Sequence, residues 1–225
     1  LRGCILKGFK GSPIPPPIEI RGLLGGFFMN KEQAVKWIET NIKGGIHRDE
    51  GRLLYDLAKN CKGQGVIVEI GSLLGKSTSF LAFGSKAGQS VKVYAIDPFD
   101  GGDSKPYSQF VKNIIQKGSF FPTFLENMKK ARLLDIVIPV PKRSIDAVDC
   151  IKEPIELIFI DGAHDYEYVK MDILNYLPKV VKGGIVAFHD RNRTGVKEAI
   201  EEFIIRPNCL EGITTVRSIL SGRKR

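Results

Sequence analysis

The 225-residue sequence predicts an α/β fold: a doubly wound, mostly parallel sheet with an N-terminal helical or irregular extension. Three observations carry this prediction. Short β-branched apolar runs recur at 66–70, 91–96, 136–140, 156–160 and 184–188, with helix-like stretches between them. The first run ends in a glycine turn that opens a helix. Later runs deliver acids at their ends, namely Asp97, Asp161 and Asp190.

The elements follow in order. Pro13, Pro15, Pro16 and Pro17 exclude a helix near the start, and Gly22, Gly25 and Gly26 add freedom. Phe27 and Phe28 are expected to anchor this arm. Asn30 with Gln33 three residues on reads as a helix start, and Ala34, Trp37, Ile38 and Ile42 share one face. A second helix is expected over 49–60, with Leu53, Leu54 and Leu57 inward. His47 lies in the loop between the two and is given no role. The division is an arm and cover helix at 1–48 and one main domain at 49–225. Pro122 suits the first position of a helix running to about 133. Ser144 begins a helix to about 151, and 166–177 reads as a helix ended by Pro178. Lys182-Gly183-Gly184 turns into the fifth strand. Thr194 is expected to cap a helix through 203, and 213–219 reads as one last strand.

Composition narrows the class. The formal charge is +9, with no long Lys/Arg block, so a soluble basic enzyme is favoured over a nucleic-acid binder. Cys4, Cys61, Cys150 and Cys209 form no C-x-x-C pair, which disfavours a zinc cluster and a disulfide framework and suits a reducing cytoplasm. No apolar run is long enough to cross a bilayer. The chain opens on Leu1, so a natural N-terminus is expected upstream.

The glycine turn is the chemical centre. Gly71-Ser-Leu-Leu-Gly75-Lys76-Ser77 is one residue too short between its glycines for a phosphate-cradling P-loop. Glu69 occupies the first glycine position of a dinucleotide fingerprint, where an acid would face a pyrophosphate. Acid-x-Gly-x-x-x-Gly instead suits a ligand with a cationic amino acid end. Asp97, 22 residues after Gly75, can accept from both hydroxyls of a ribose. Phe99 could stack on an adenine or fill the core. The aromatic, glycine-rich stretch 100–122 is a candidate substrate lid.

Glu69-x-Gly71-x-x-x-Gly75-Lys-Ser77 resembles the first motif of class I S-adenosylmethionine-dependent methyltransferases, above all the small catechol- and macrocin-type O-methyltransferases. The resemblance runs from about residue 49 to about 202. It implies the Rossmann-like class I methyltransferase fold, with Glu69, Gly71, Ser72, Gly75, Ser77, Asp97, Phe99, Ser144 and Asp161 at the cofactor. Ser144 would contact the adenine edge. The fold normally ends in an antiparallel pair, of which only one strand is evident here.

Asp161 and Asp190 would approach each other at neighbouring strand ends, and two such carboxylates are commonly reconciled by magnesium or another divalent cation. The resemblance matches both to the family's metal carboxylates, and His164 to its general base. An imidazole can take a hydroxyl proton at neutral pH. Two departures stand out: Arg191 replaces the Asn of catechol-type enzymes, and His189 replaces the acid of the macrocin type. His189 could ligate a softer metal or fill the core, and Arg191 could hold an anionic substrate. The expected activity is methyl transfer to a hydroxyl of a small molecule or sugar, in the cytoplasm, by a chain that can form a homo-oligomer. The alternatives are an RNA methyltransferase and a non-catalytic S-adenosylmethionine-binding protein.

Overall fold

The computed structural model describes residues 29–101 and 118–225. The Pro-rich arm before Met29 and most of the expected lid lie outside the described residues.

Two helices come first, α1 (Lys31–Asn41) and α2 (Arg48–Lys59), each starting in a capping box. Asn30 accepts from the Gln33 amide at 3.0 Å, as its sequence position predicts. The second cap is a surprise. His47, given no role above, accepts from the Asp49 amide through Nδ1 at 3.2 Å, while Glu50 reaches back to the His47 amide.

The strand–helix alternation then unfolds as β1 (Val66–Ile70), α3 (Lys76–Lys86), β2 (Val93–Ile96), α4 (Phe121–Lys130) and β3 (Val137–Val140). It continues with α5 (Ser144–Ala147), β4 (Ile155–Ile160), α6 (Tyr166–Tyr176), β5 (Val180–Phe188) and α7 (Thr194–Ile200). Expected and observed bounds differ by a few residues at most in β2, α4 and β4, while β5 begins four residues early, at Val180. Arg193, not Thr194, is the residue before α7, and α7 runs on into a π-turn over Glu201–Ile205.

Seven strands form one sheet in the order β3-β2-β1-β4-β5-β7-β6. The first five are parallel, and the chain reverses direction across the sheet between β1 and β4. The missing C-terminal partner is present: β6 (Leu210–Val216) pairs antiparallel with β7 (Ile219–Lys224), which inserts beside β5. Its sequence, ILSGRK, lacks an apolar alternation, so pattern alone did not reveal it.

Alternating side chains of the parallel strands feed two cores. Ile67, Val93 and Leu157 join α1–α4 on one face. Val68, Tyr94 and Ile158 join α5–α7 on the other. The result is three layers, with the C-terminal strand ends free to carry a site.

Candidate active site

Backbone hydrogen bonds tie the strand ends into one rim. Asp97 N donates to Val140 O, Gly71 N to Ile96 O, Asp161 N to Ile70 O and His189 N to Ile160 O, at 3.2, 2.9, 2.8 and 3.0 Å. Four strand ends thus deliver most of the predicted site residues side by side, at the point where strand order reverses.

Glu69 is the buried acid of this rim, with 0% exposure. Ser72 Oγ donates to its Oε2 at 2.7 Å, and Thr78 Oγ donates to the same oxygen. Oε1 is buried with no aligned donor. Burial dominates and raises the Glu69 pKa to about 7, against the opposing pull of the Ser77, Thr78 and Ser72 hydroxyls. Gly71 turns away from β1 at φ +88°, and a Cβ there would lie 2.1 Å from the Asp161 carbonyl oxygen. Gly75 caps α3 in the left-handed region without a side-chain hydrogen bond, which leaves the first amides of that helix open. Asn127 of α4 braces the turn by donating to Leu74 O at 2.9 Å.

Asp97 has a second task that sequence reading missed. Its Oδ2 accepts the Ser72 and Leu73 amides at 2.9 and 2.8 Å, and its Oδ1 accepts the Phe99 amide at 2.6 Å. The carboxylate therefore fixes the glycine turn to the end of β2. Burial raises its pKa against those three backbone donors. A carboxylate has about four acceptor sites, so roughly one remains for a ribose hydroxyl.

Phe99 takes the core position, one of the two alternatives its place in the sequence left open. It is 0% exposed, with ring centroids 4.9 Å from Phe121 and 5.0 Å from Phe124. Its side chain belongs to the α-helical core rather than to an adenine platform. Ser144 is the first residue of α5 rather than its cap. Its side chain bonds Asp172, whose pKa burial raises to about 6, and its carbonyl accepts Tyr176 Oη at 2.7 Å.

Asp161, His164 and Asp190 converge, each offering one ligand atom within 4.8 Å of the others. His164 Nε2 lies 2.7 Å from Asp190 Oδ2, close but too misaligned for a directed hydrogen bond. The His164 and His189 contacts hold the Asp190 pKa far below the carboxylate range. Asp161 shifts the other way because burial outweighs its His189 partner.

His189, which the sequence offered as a ligand for a softer metal or as a core residue, lies among three carboxylates. Its Nδ1 lies 3.0 Å from Asp161 Oδ1 and 3.6 Å from Asp190 Oδ2, and its Nε2 lies 3.4 Å from Glu50 Oε2. Both ring nitrogens face carboxylates of the protein, so the converging donor set contains His164 in its place. Burial disfavours the imidazolium, but Asp161, Asp190 and Glu50 together raise its pKa to about 12. Glu50 is the residue that sequence reading missed altogether. It is 3% exposed and accepts Ser218 N, Ser218 Oγ and His47 N at 2.9, 2.6 and 2.9 Å. It ties α2, β5 and the β6–β7 turn into one unit. An acid on a helix expected to be amphipathic, two residues into its first turn, carried no signal beyond a capping role.

The donor chemistry fits the groups that the resemblance implies. Two carboxylate oxygens and an imidazole nitrogen suit a divalent cation. The unpartnered Glu69 oxygen suits the cationic amino end of a ligand, and the open helix start beside it suits an anionic end.

Fold and rim together define a class I methyltransferase. The chain belongs to the methyltransferase domain family, which it matches over residues 68–191. It is 26% identical over 159 residues to the uncharacterized protein R132 of Acanthamoeba polyphaga mimivirus, spanning 70% of this chain and 66% of that relative. Its fold is similar to that of the O-methyltransferase NovP, with TM-score 0.64, 19% identity and coverage of 80% of this chain and 81% of that one. The O-methyltransferase TomG from Streptomyces achromogenes, solved with its SAM ligand, superposes with TM-score 0.58 and 15% identity over 86% of this chain and 90% of that one. An O-methyltransferase from Bacillus cereus in complex with SAH gives TM-score 0.56 and 18% identity over 86% and 90%. Among the described residues no helix is long and apolar enough to cross a membrane.

Proposed function

We propose that this protein transfers a methyl group from S-adenosylmethionine to a hydroxyl of a small molecule or sugar, with a divalent cation held by Asp161 and Asp190. The observation that carries the reading is the meeting of Asp161, His164 and Asp190 one strand away from the Glu69–Gly71 turn. Solved neighbours of this fold that bear the name O-methyltransferase support it.

Bound at the rim, S-adenosylmethionine supplies an electrophilic methyl on a sulfonium. Glu69 Oε1 would receive its ammonium, the open amides of α3 would face its carboxylate, and Asp97 would hold a ribose hydroxyl with its remaining acceptor site. A divalent cation at Asp161 and Asp190 would lower the pKa of the acceptor hydroxyl. His164, which lies 2.7 Å from Asp190 through Nε2, would take the acceptor proton as the new O–C bond forms and the sulfonium S–C bond breaks, leaving S-adenosylhomocysteine.

The test is methyl transfer from labelled S-adenosylmethionine to a panel of hydroxylated acceptors, with calorimetry of S-adenosylhomocysteine binding alongside. His164→Ala is expected to keep cofactor affinity and lower kcat by about 10²–10⁴-fold. Failure of the wild type to bind S-adenosylhomocysteine would sink the reading. The convergence of three donors favours a second reading, in which His164 is a metal ligand rather than the base. His164→Ala would then lower the affinity for magnesium or manganese, a binding change that the first reading does not expect.

A further inference from the structure

A cavity of about 760 Å³ opens beside His189 and Asp190. Five separate segments build it: the end of α1, the start of α2, the first residue of α3, the end of β5 and the β6–β7 turn. Its floor is the strand-end chemistry described above. Its wall is rich in charge among the described residues.

Each acid on the wall already has a basic neighbour. Glu39 pairs with Lys76 at 2.8 Å, Glu50 with His189 at 3.4 Å and Asp190 with His164 at 2.7 Å. Arg48 and Arg217 remain. Both line the cavity, and neither has an ion pair or side-chain hydrogen bond among the described residues, Arg48 being attracted only at longer range by Glu32. Exposed arginines are ordinarily solvated, but these two come from distant parts of the chain and face one hollow beside the catalytic carboxylates. Arg217 is also placed with care. It occupies the left-handed position (φ 54°) of a two-residue turn, where Asn or Gly is the usual choice. The next residue, Ser218, is pinned to Glu50 through both its amide and its hydroxyl. The backbone that carries Arg217 is therefore fixed relative to the site. Arg191, which the sequence offered for an anion, does not line this cavity.

We propose that Arg48 and Arg217 bind an anionic group, a phosphate or carboxylate, carried by the methyl acceptor, so that the substrate is a hydroxylated anion. Guanidinium groups suit both oxyanions because their planar forks match them bidentately. The anion would anchor the acceptor on the outer wall and leave its hydroxyl to the Asp161–His164–Asp190 floor. This inference rests on the methyl-transfer reading.

The other source of an anion at this rim is the cofactor's own carboxylate, and the experiment separates the two. ¹H–¹⁵N correlation spectra are recorded on the full chain saturated with S-adenosylhomocysteine, titrated with inorganic phosphate or with chloride at matched ionic strength. Phosphate is expected to shift the Arg48 and Arg217 Nε–Hε signals and the Ser218 amide saturably, and chloride is not. Arg48→Gln and Arg217→Gln are each expected to weaken phosphate binding by about tenfold. Their affinity for S-adenosylhomocysteine, read by calorimetry, is expected to stay within about twofold of wild type. Phosphate shifts no larger than those of chloride would overturn the proposal. So would a tenfold loss of S-adenosylhomocysteine affinity in either variant, which would assign the arginines to the cofactor carboxylate. Saturable phosphate binding by a wild type that binds no S-adenosylhomocysteine would keep the anion site and remove the methyl-transfer reading instead.

Discussion

Replacing Glu69 by Gln is expected to make the protein more stable at high pH and to leave it nearly unchanged at low pH. In the unfolded chain the Glu69 carboxyl titrates near 4.5, and in the folded chain burial raises this to about 7. A raised acid pKa means that the folded state holds the proton more tightly. The group's favourable contribution is therefore complete below pH 4.5 and is lost as pH rises through about 7. The shift is about 2.5 units at 1.36 kcal/mol each, so roughly 3 kcal/mol disappears between pH 4.5 and 7.5. The glutamine side chain would keep a carbonyl for the Ser72 and Thr78 hydroxyls and carry no charge at any pH. Urea unfolding of both proteins at pH 5, 6, 7 and 8.5 measures this. The stability difference between variant and wild type should grow by about 3 kcal/mol across the series, equivalent to roughly 6–12 °C in Tm for a chain of this size. A difference that is constant with pH would refute the reasoning, because it would mean that Glu69 is ionised and solvated in the folded state. The same variant should bind S-adenosylhomocysteine about tenfold more weakly if Oε1 receives its ammonium.

Other expectations concern the supports of the site. Gly71→Ala would force a Cβ to 2.1 Å from the Asp161 carbonyl at φ +88°, and should lose at least about 3 kcal/mol in urea unfolding. Glu50→Ala would strand His189 and the Ser218 amide, a loss of about 3–5 kcal/mol. Although burial alone would raise it, the Glu50 pKa is held down to about 2 by His189, Ser218 and His47. Wild type should therefore lose this contribution as pH falls from 4.5 towards 2, and Glu50→Ala should not. Phe99→Ala should cost about 3–5 kcal/mol of stability with cofactor affinity intact, whereas an adenine platform would give the opposite pair of results in unfolding and calorimetry.

The sequence by itself determined the parallel core and the order of its parts. Buried parallel strands need continuous apolar runs, and the runs ending at Ile70, Ile96, Ile160 and Phe188 could form little else. Glycine at 71 and 75 and acids at 69, 97, 161 and 190 are local features of a chain that turns sharply at strand ends, so they were legible without coordinates. Strand β7 was not legible, because a short strand that ends in Gly-Arg-Lys shows no apolar periodicity, although it lies between β5 and β6 in the sheet. Side-chain partnership was not legible either. Phe99 enters the core because Phe121 and Phe124 arrive from a helix more than twenty residues later. His189 faces Glu50 across 139 residues of sequence, and Ser218 reaches the same carboxylate across 168. Those contacts depend on where packed layers bring distant segments together, and no spacing along the chain encodes them. The same holds for the two arginines of the cavity. The sequence shows them only as members of a scattered basic set, and the tertiary structure alone sets Arg48 and Arg217 on one wall beside the strand-end acids.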